Sequence, residues 1–258
     1  MIIGLVAFLV SFLSGSLGVL NVVGSGFVFI IINTLIKLTN GQDYQWRIHL
    51  ANFFISLIYL IFNLSKIFRN IYYLFGTLII VVISWGFGKV LLNHFSVTNF
   101  KLFFLLGMII LASLNVKKSE NIVVANDALS DVSIFNTNDF FIISFCSFLS
   151  SYLEVNFGAI TCLVLITIKK KIKMIDLTNI VYFSMLFYSI LNFAWYSIKK
   201  EVHFDTEIEI YLFLGLIFGA IFSISLKSNL HEKTLSKIIL TSVFIYSIIL
   251  FLNKTIIE

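Results

Sequence analysis

Long apolar runs separated by short polar turns set the rhythm of this chain. Lys37 is the first charged side chain, so Ile2 to Ile36 forms one apolar stretch, interrupted near Gly18 to Gly26. Seven further runs follow: Ile48 to Leu64, Ile71 to Leu92, Phe100 to Val116, Phe140 to Ile168, Leu177 to Ile198, Ile210 to Leu226 and Leu235 to Leu252. Most match the roughly 20 residues that carry a helix across hydrocarbon at about 1.5 Å each. None alternates with period two, so strands are not expected. The pattern predicts an all-α polytopic membrane protein with about eight transmembrane helices.

The first run is too long for one straight span, and it is broken by Gly15, Gly18, Gly24 and Gly26, by several serines, and by Asn21. The chain has no proline, so glycine and polar side chains must make its breaks. An interrupted helix in lipid frees backbone N–H and C=O groups, each costing several kcal/mol unless protein or a water-filled cavity takes them up. The phrase recurs. Ser11 to Val19 reads SFLSGSLGV and Ser147 to Val155 reads SFLSSYLEV, identical at six of nine positions. The second copy lies in the run broken by Glu154, Asn156 and Gly158. We therefore expect two homologous four-helix repeats, each opening with a broken helix: residues 1–117 and 140–258, joined by a polar linker over 118–139.

Composition agrees with a membrane protein. Hydrophobic residues make up 59% of the chain and charged ones 12%, against about 25% charged in soluble domains. The net charge of +5 comes from lysines in short turns and is no sign of a nucleic-acid partner. If the turns after the first, third, fifth and seventh runs face the cytoplasm, that side and its flanks hold the larger share of Lys and Arg, including KKKIK at Lys169 to Lys173. Both termini are then expected outside the plasma membrane. This count favours crossing segments and parallel repeats; re-entrant segments with inverted repeats are the alternative. Cys146 and Cys162 would sit about 24 Å apart on one continuous helix, out of disulfide reach.

The broken segments are the candidate site. A half-helix N-terminus at membrane depth offers free N–H groups and the positive end of a dipole, which suits an anion. Ser14, Gly15, Gly18, Asn21, Gly24 and Ser25 would line one wall, and Ser150, Ser151, Asn156 and Gly158 the other. The expectation is one shared cavity near the membrane centre. The plainer reading is that small residues only pack helices closely. Glu154 lies deep in an apolar run with no basic residue near it in sequence. A charge there costs a few kcal/mol, so it is expected to be neutral, with a raised pKa, or to sit in a wet cavity, and is the candidate for carrying a proton coupled to anion movement. Asn52 and Asn192 are read as bridging or capping helices. No two histidines share metal-ligand spacing, so neither metal nor cofactor is expected.

Two halves that each open with a glycine-interrupted FLSG-x-LG-type segment resemble the TauE/SafE family of sulfite-exporter-like permeases. Leu74 to Leu114 and Tyr211 to Leu252 also resemble its rhythm of a glycine-bearing helix, a short basic turn and an apolar helix. The family's first motif runs into a glycine triplet and a proline, where this chain has Leu20-Asn21-Val22-Val23. The resemblance implies a permease, not an enzyme, for sulfite, a sulfonate or a related small organic anion. It leaves open a homo-oligomer. Two other readings stay open: a non-transporting membrane subunit, and an intramembrane lipid-modifying enzyme, for which only one buried carboxylate and no buried histidine are in view.

Overall fold

The computed structural model describes residues 2–21, 45–63, 71–94, 98–118, 137–168, 174–199, 201–202 and 206–257. These residues are helical, with no strand among them. The helices are α1 (Ile2–Asn21), α2 (Gln45–Phe62), α3 (Ile71–His94), α4 (Thr98–Lys118), α5 (Thr137–Leu153), α6 (Phe157–Ile168), α7 (Met174–Ile198), α8 (Thr206–Ser228) and α9 (Glu232–Ile257). Five of them, α3, α4, α7, α8 and α9, are long and apolar enough to cross a membrane; α1, α2 and α6 carry shorter apolar windows. The outer surface says the same. Phe75, Ile79, Ile83, Phe87 and Val90 form an exposed apolar stripe along α3 at helical spacing, a face suited to lipid rather than water. Ser, Thr and Asn instead turn inward: Ser11, Ser14, Thr77, Ser147, Ser150, Ser184 and Asn192 are all buried.

Small residues decide which helices pair. Where lipid surrounds both partners, burial of apolar surface gives little drive, and close backbone approach takes its place. α1 packs chiefly on α8. A side chain at Gly15 would strike the Leu216 carbonyl, and one at Gly219 would strike the Phe12 carbonyl. α3 packs in the same way on α5: Gly88 faces the Phe148 carbonyl, and Ser151 Oγ donates to the Trp85 carbonyl at 2.7 Å. These contacts correspond by position. Phe148 and Ser151 each follow Phe12 and Gly15 by 136 residues, while Leu216 and Gly219 each follow Trp85 and Gly88 by 131.

Contacts along each pair fix the helix directions. Gly4 meets Tyr211 while Gly15 meets Ala220, so α1 and α8 are parallel. Gly76 meets Phe140 and Lys89 meets Glu154, so α3 and α5 are parallel too. α2 runs with α8, through Arg47–Glu209 (Nε–Oε1 2.7 Å) and the Phe54–Phe213 rings. α3 and α7 end together at Trp85 and Trp195. α2 and α7 are antiparallel, with Trp46 on Phe193 and Tyr59 on Thr178. It follows that α1 and α5, which share the repeated phrase, point in opposite directions. The parallel arrangement favoured by the loop charges is therefore not the one adopted.

The run from Phe140 to Ile168 is not one interrupted span either. It reverses. α5 ends at Leu153, Glu154 takes a left-handed φ of 53°, and the Val155 amide bonds back to the Ser150 carbonyl at 3.3 Å. α6 then returns beside α5, bringing Thr161 onto Cys146. Its far end meets the end of α4, where Asn115 Nδ2 donates to Thr167 Oγ1 at 2.9 Å. Cys146 and Cys162 are free, buried thiols on two helices that pack side by side, rather than about 24 Å apart along one. The sequence pattern missed this because a reversal and a kink look alike in hydropathy.

Two outcomes follow. Gly219→Val should destabilise the protein by about 1–3 kcal/mol through overpacking, whereas Gly107→Ala, with open space around it, should be neutral in detergent unfolding. An Asn115→Cys/Thr167→Cys pair should cross-link on mild oxidation. A straight helix from Phe140 to Ile168 would keep those thiols apart.

Candidate functional site

Each of the two broken segments ends in a polar cluster built by its neighbours. In the last described turn of α1, the carbonyls of Gly18 and Val19 take hydrogen bonds from neighbouring helices. The buried Tyr182 hydroxyl of α7 donates to both, at 3.0 Å to Val19. Lys227, in the last turn of α8, donates its ammonium to the Val19 carbonyl at 3.1 Å. A cation there also opposes the negative end of the helix dipole. Lys227 is only 9% exposed. Its Nζ lies 4.6 Å from the ring centre of Tyr59 and 5.1 Å from that of Tyr182, a cation–π cradle. Tyr59 is held in turn by Asn179 Oδ1 at 2.9 Å and by Thr178 Oγ1 at 3.1 Å. No carboxylate among the described residues pairs with Lys227.

The end of α5 is built differently. Here Lys89 of α3, 3% exposed, pairs with Glu154 at 3.1 Å, and its ammonium lies 6.0 Å from the Tyr196 ring centre. Glu154 is thus not the isolated acid that sequence neighbours suggest: its counter-ion comes from a helix 65 residues away. Its side chain is 34% exposed. Asn156 caps α6, accepting from the Ala159 amide at 3.2 Å, as residues at this position commonly do. The Asn156 amide donates to the Tyr246 hydroxyl at 2.9 Å. Asn156 Nδ2 and Ser150 Oγ are buried with no partner among the described residues. His49 stacks on Tyr196 at the same end of the molecule.

The sequence-chosen residues therefore fall into several places. Ser14 is buried in α1. Gly15 serves the α1–α8 contact, and Gly18 packs on Ile55, whose Cδ1 would be 2.6 Å from a side chain there. Ser151 holds α5 to α3, Ser150 and Asn156 sit at the reversal, and Gly158 is buried in the first turn of α6. Asn21 closes α1; Gly24 and Ser25 lie outside the described residues. Val19 meets α7 at Tyr182, and Phe157, directly after the α5–α6 reversal, stacks on Tyr188 with ring centres 5.0 Å apart, six residues on or about 9 Å along the helix axis. Asn192 Nδ2 bonds the Tyr188 carbonyl of its own helix rather than bridging to another.

Lys89, Lys227, Tyr59 and Tyr182 escaped the sequence reading, which placed both lysines with the loops. One signal was present. Lys89 lies inside the apolar window Phe75–Leu92 and Lys227 inside Glu209–Ser228, and a cation within a span needs a partner or a purpose. No family model matches the chain, and neither a curated protein nor a solved structure does.

Tyr182→Phe should leave a buried carbonyl short of its donor and cost about 1–3 kcal/mol in detergent unfolding. Tyr211→Phe, at a ring 42% exposed, should change stability by less than about 0.5 kcal/mol.

Proposed function

We propose that this protein is a membrane carrier for a small anion, with sulfite or a small sulfonate as the substrate class to test first. The observation that carries the reading is Lys227: a buried ammonium beside the last described turn of α1, held by a carbonyl and two tyrosine rings, with no described carboxylate beside it. Burying an ammonium without a counter-charge is costly, and an anionic substrate supplies that charge. The TauE/SafE resemblance supports the same class.

The architecture we infer is a pair of inverted repeats. The matching α1–α8 and α3–α5 contacts, at constant offsets, support a duplication. The opposite directions of α1 and α5 support a two-fold axis in the membrane plane, a common plan among secondary carriers. The ends of α2, α4, α6 and α8 share one face and border Lys66, Arg69, Lys117, Lys118, KKKIK and Lys233, while the acidic segment from Glu201 to Glu209 borders the other. The first face is then cytoplasmic. Lys227 opens toward the cytoplasm, Lys89 and Glu154 toward the outside, and both termini are external to the plasma membrane. Alternating exposure of the two ends would move the anion across, with Glu154 the candidate for taking a proton.

The test is flux of labelled sulfite in sealed vesicles carrying purified protein. Wild type should accumulate sulfite above protein-free vesicles, and Lys227→Met should lose at least tenfold of that rate while keeping its gel-filtration profile. Glu154→Gln should lose dependence on an imposed pH gradient. Equal flux in wild type and Lys227→Met would remove Lys227 from the pathway. No flux in wild type with sulfite or small sulfonates would leave the non-transporting subunit as the better reading.

A further inference from the structure

We propose that Lys89 is a second anion-binding position, and that the Glu154 carboxylate is its built-in ligand. Take the carboxylate away, and Lys89 receives a small free oxyanion of acetate or sulfite size. The inference rests on reading Lys227 as an anion site. It concerns a different lysine at the opposite end of the molecule.

The two ends invite direct comparison. In both, a helix packed on a broken segment delivers a buried lysine to the end of that segment. Lys227 finds a carbonyl at 3.1 Å, and Lys89 finds a carboxylate at 3.1 Å. The lysines are not counterparts in the repeat, since the 131-residue offset pairs Lys89 with Ala220 and Lys227 with Ser96. The carboxylate does come from one position of the repeated phrase, where SFLSGSLGV has Gly18 and SFLSSYLEV has Glu154. Gly18 has no room for a side chain because Ile55 fills the space. Glu154 has that room and projects onto the lysine.

The backbone shows that this glutamate is not there for the turn. Its φ of 53° suits glycine or asparagine and is sterically unfavourable for a glutamate. The residue's contribution is therefore its charge. The carboxylate is also one-third exposed while the Lys89 side chain behind it is buried, so the place where an anion would meet the ammonium is the one the carboxylate now fills. A carboxylate on Lys89 is chemically what a bound monoanion would be. The outer end of the molecule thus carries its counter-charge on the chain, and at the cytoplasmic end no described carboxylate does the same for Lys227.

Equilibrium dialysis of labelled sulfite against detergent-solubilised, monodisperse protein separates the possibilities. Wild type should bind one sulfite per chain, Glu154→Gly two, and Glu154→Gly/Lys89→Met one, with acetate displacing the added sulfite. Should the glycine variant aggregate, Glu154→Asn, uncharged and tolerant of this φ, poses the same question. One sulfite in wild type and still one in the uncharged variant overturns the proposal while leaving Lys227 in place. None in wild type but one in the variant sustains it and removes the Lys227 reading. None in either overturns both.

Discussion

Lipid cannot satisfy free backbone carbonyls and amides, and the arrangement of this protein follows from supplying them with partners at two places, the Gly18–Val19 turn of α1 and the α5–α6 reversal. At the end of α1 the donors are a tyrosine from α7 and a lysine from α8. At the α5–α6 reversal the groups to satisfy are amides, and the acceptors are Asn156 Oδ1, capping its own helix, and the Tyr246 hydroxyl from α9. Every one of these partners except Asn156 comes from a helix distant in sequence. The breaks therefore dictate which helices must converge, and the small-residue contacts along α1–α8 and α3–α5 hold them at the right height.

Electrostatics then separates the two ends. The lysine near α1 is cradled by aromatic rings and a carbonyl, an arrangement that stabilises a cation without neutralising it. The lysine near α5 is neutralised outright by Glu154. Arg47 and Glu209 make a further buried pair at the Glu154 end, between α2 and α8. Among the described residues charge compensation is thus concentrated at one end, and an ammonium with no carboxylate beside it sits at the other. A bound anion would even out that imbalance.

How much of this could be read from residues alone varies by level. The helical class and the membrane setting were plain in the apolar runs, because a stripe such as Phe75 to Val90 has no other solvent. The repeated phrase pointed to both broken segments. Direction was not legible: hydropathy is the same for a helix that continues and one that doubles back, and only the positive φ at Glu154 and the Asn115–Thr167 contact separate them. Glu154 was singled out for the right oddity, an acid in an apolar run, yet its partner lies 65 residues away, beyond any local reading. Lys227 and Lys89 were passed over because near span ends a lysine usually reaches for water, and here both turn inward.

The pairing of α1 with α8 has a consequence for how the chain is made. α1 leaves the ribosome before α8, and the surface that Gly15 fits against belongs to residues 216–220, so its partner is synthesised more than two hundred residues later. Until then its polar positions, Ser11 and Ser16 among them, face lipid or a chaperone instead of the α8 carbonyls they bond in the finished protein. α3 waits less, since α5 follows it closely. Assembly thus seals an early helix with a much later one, and a chain truncated before α8 would leave α1 without its partner.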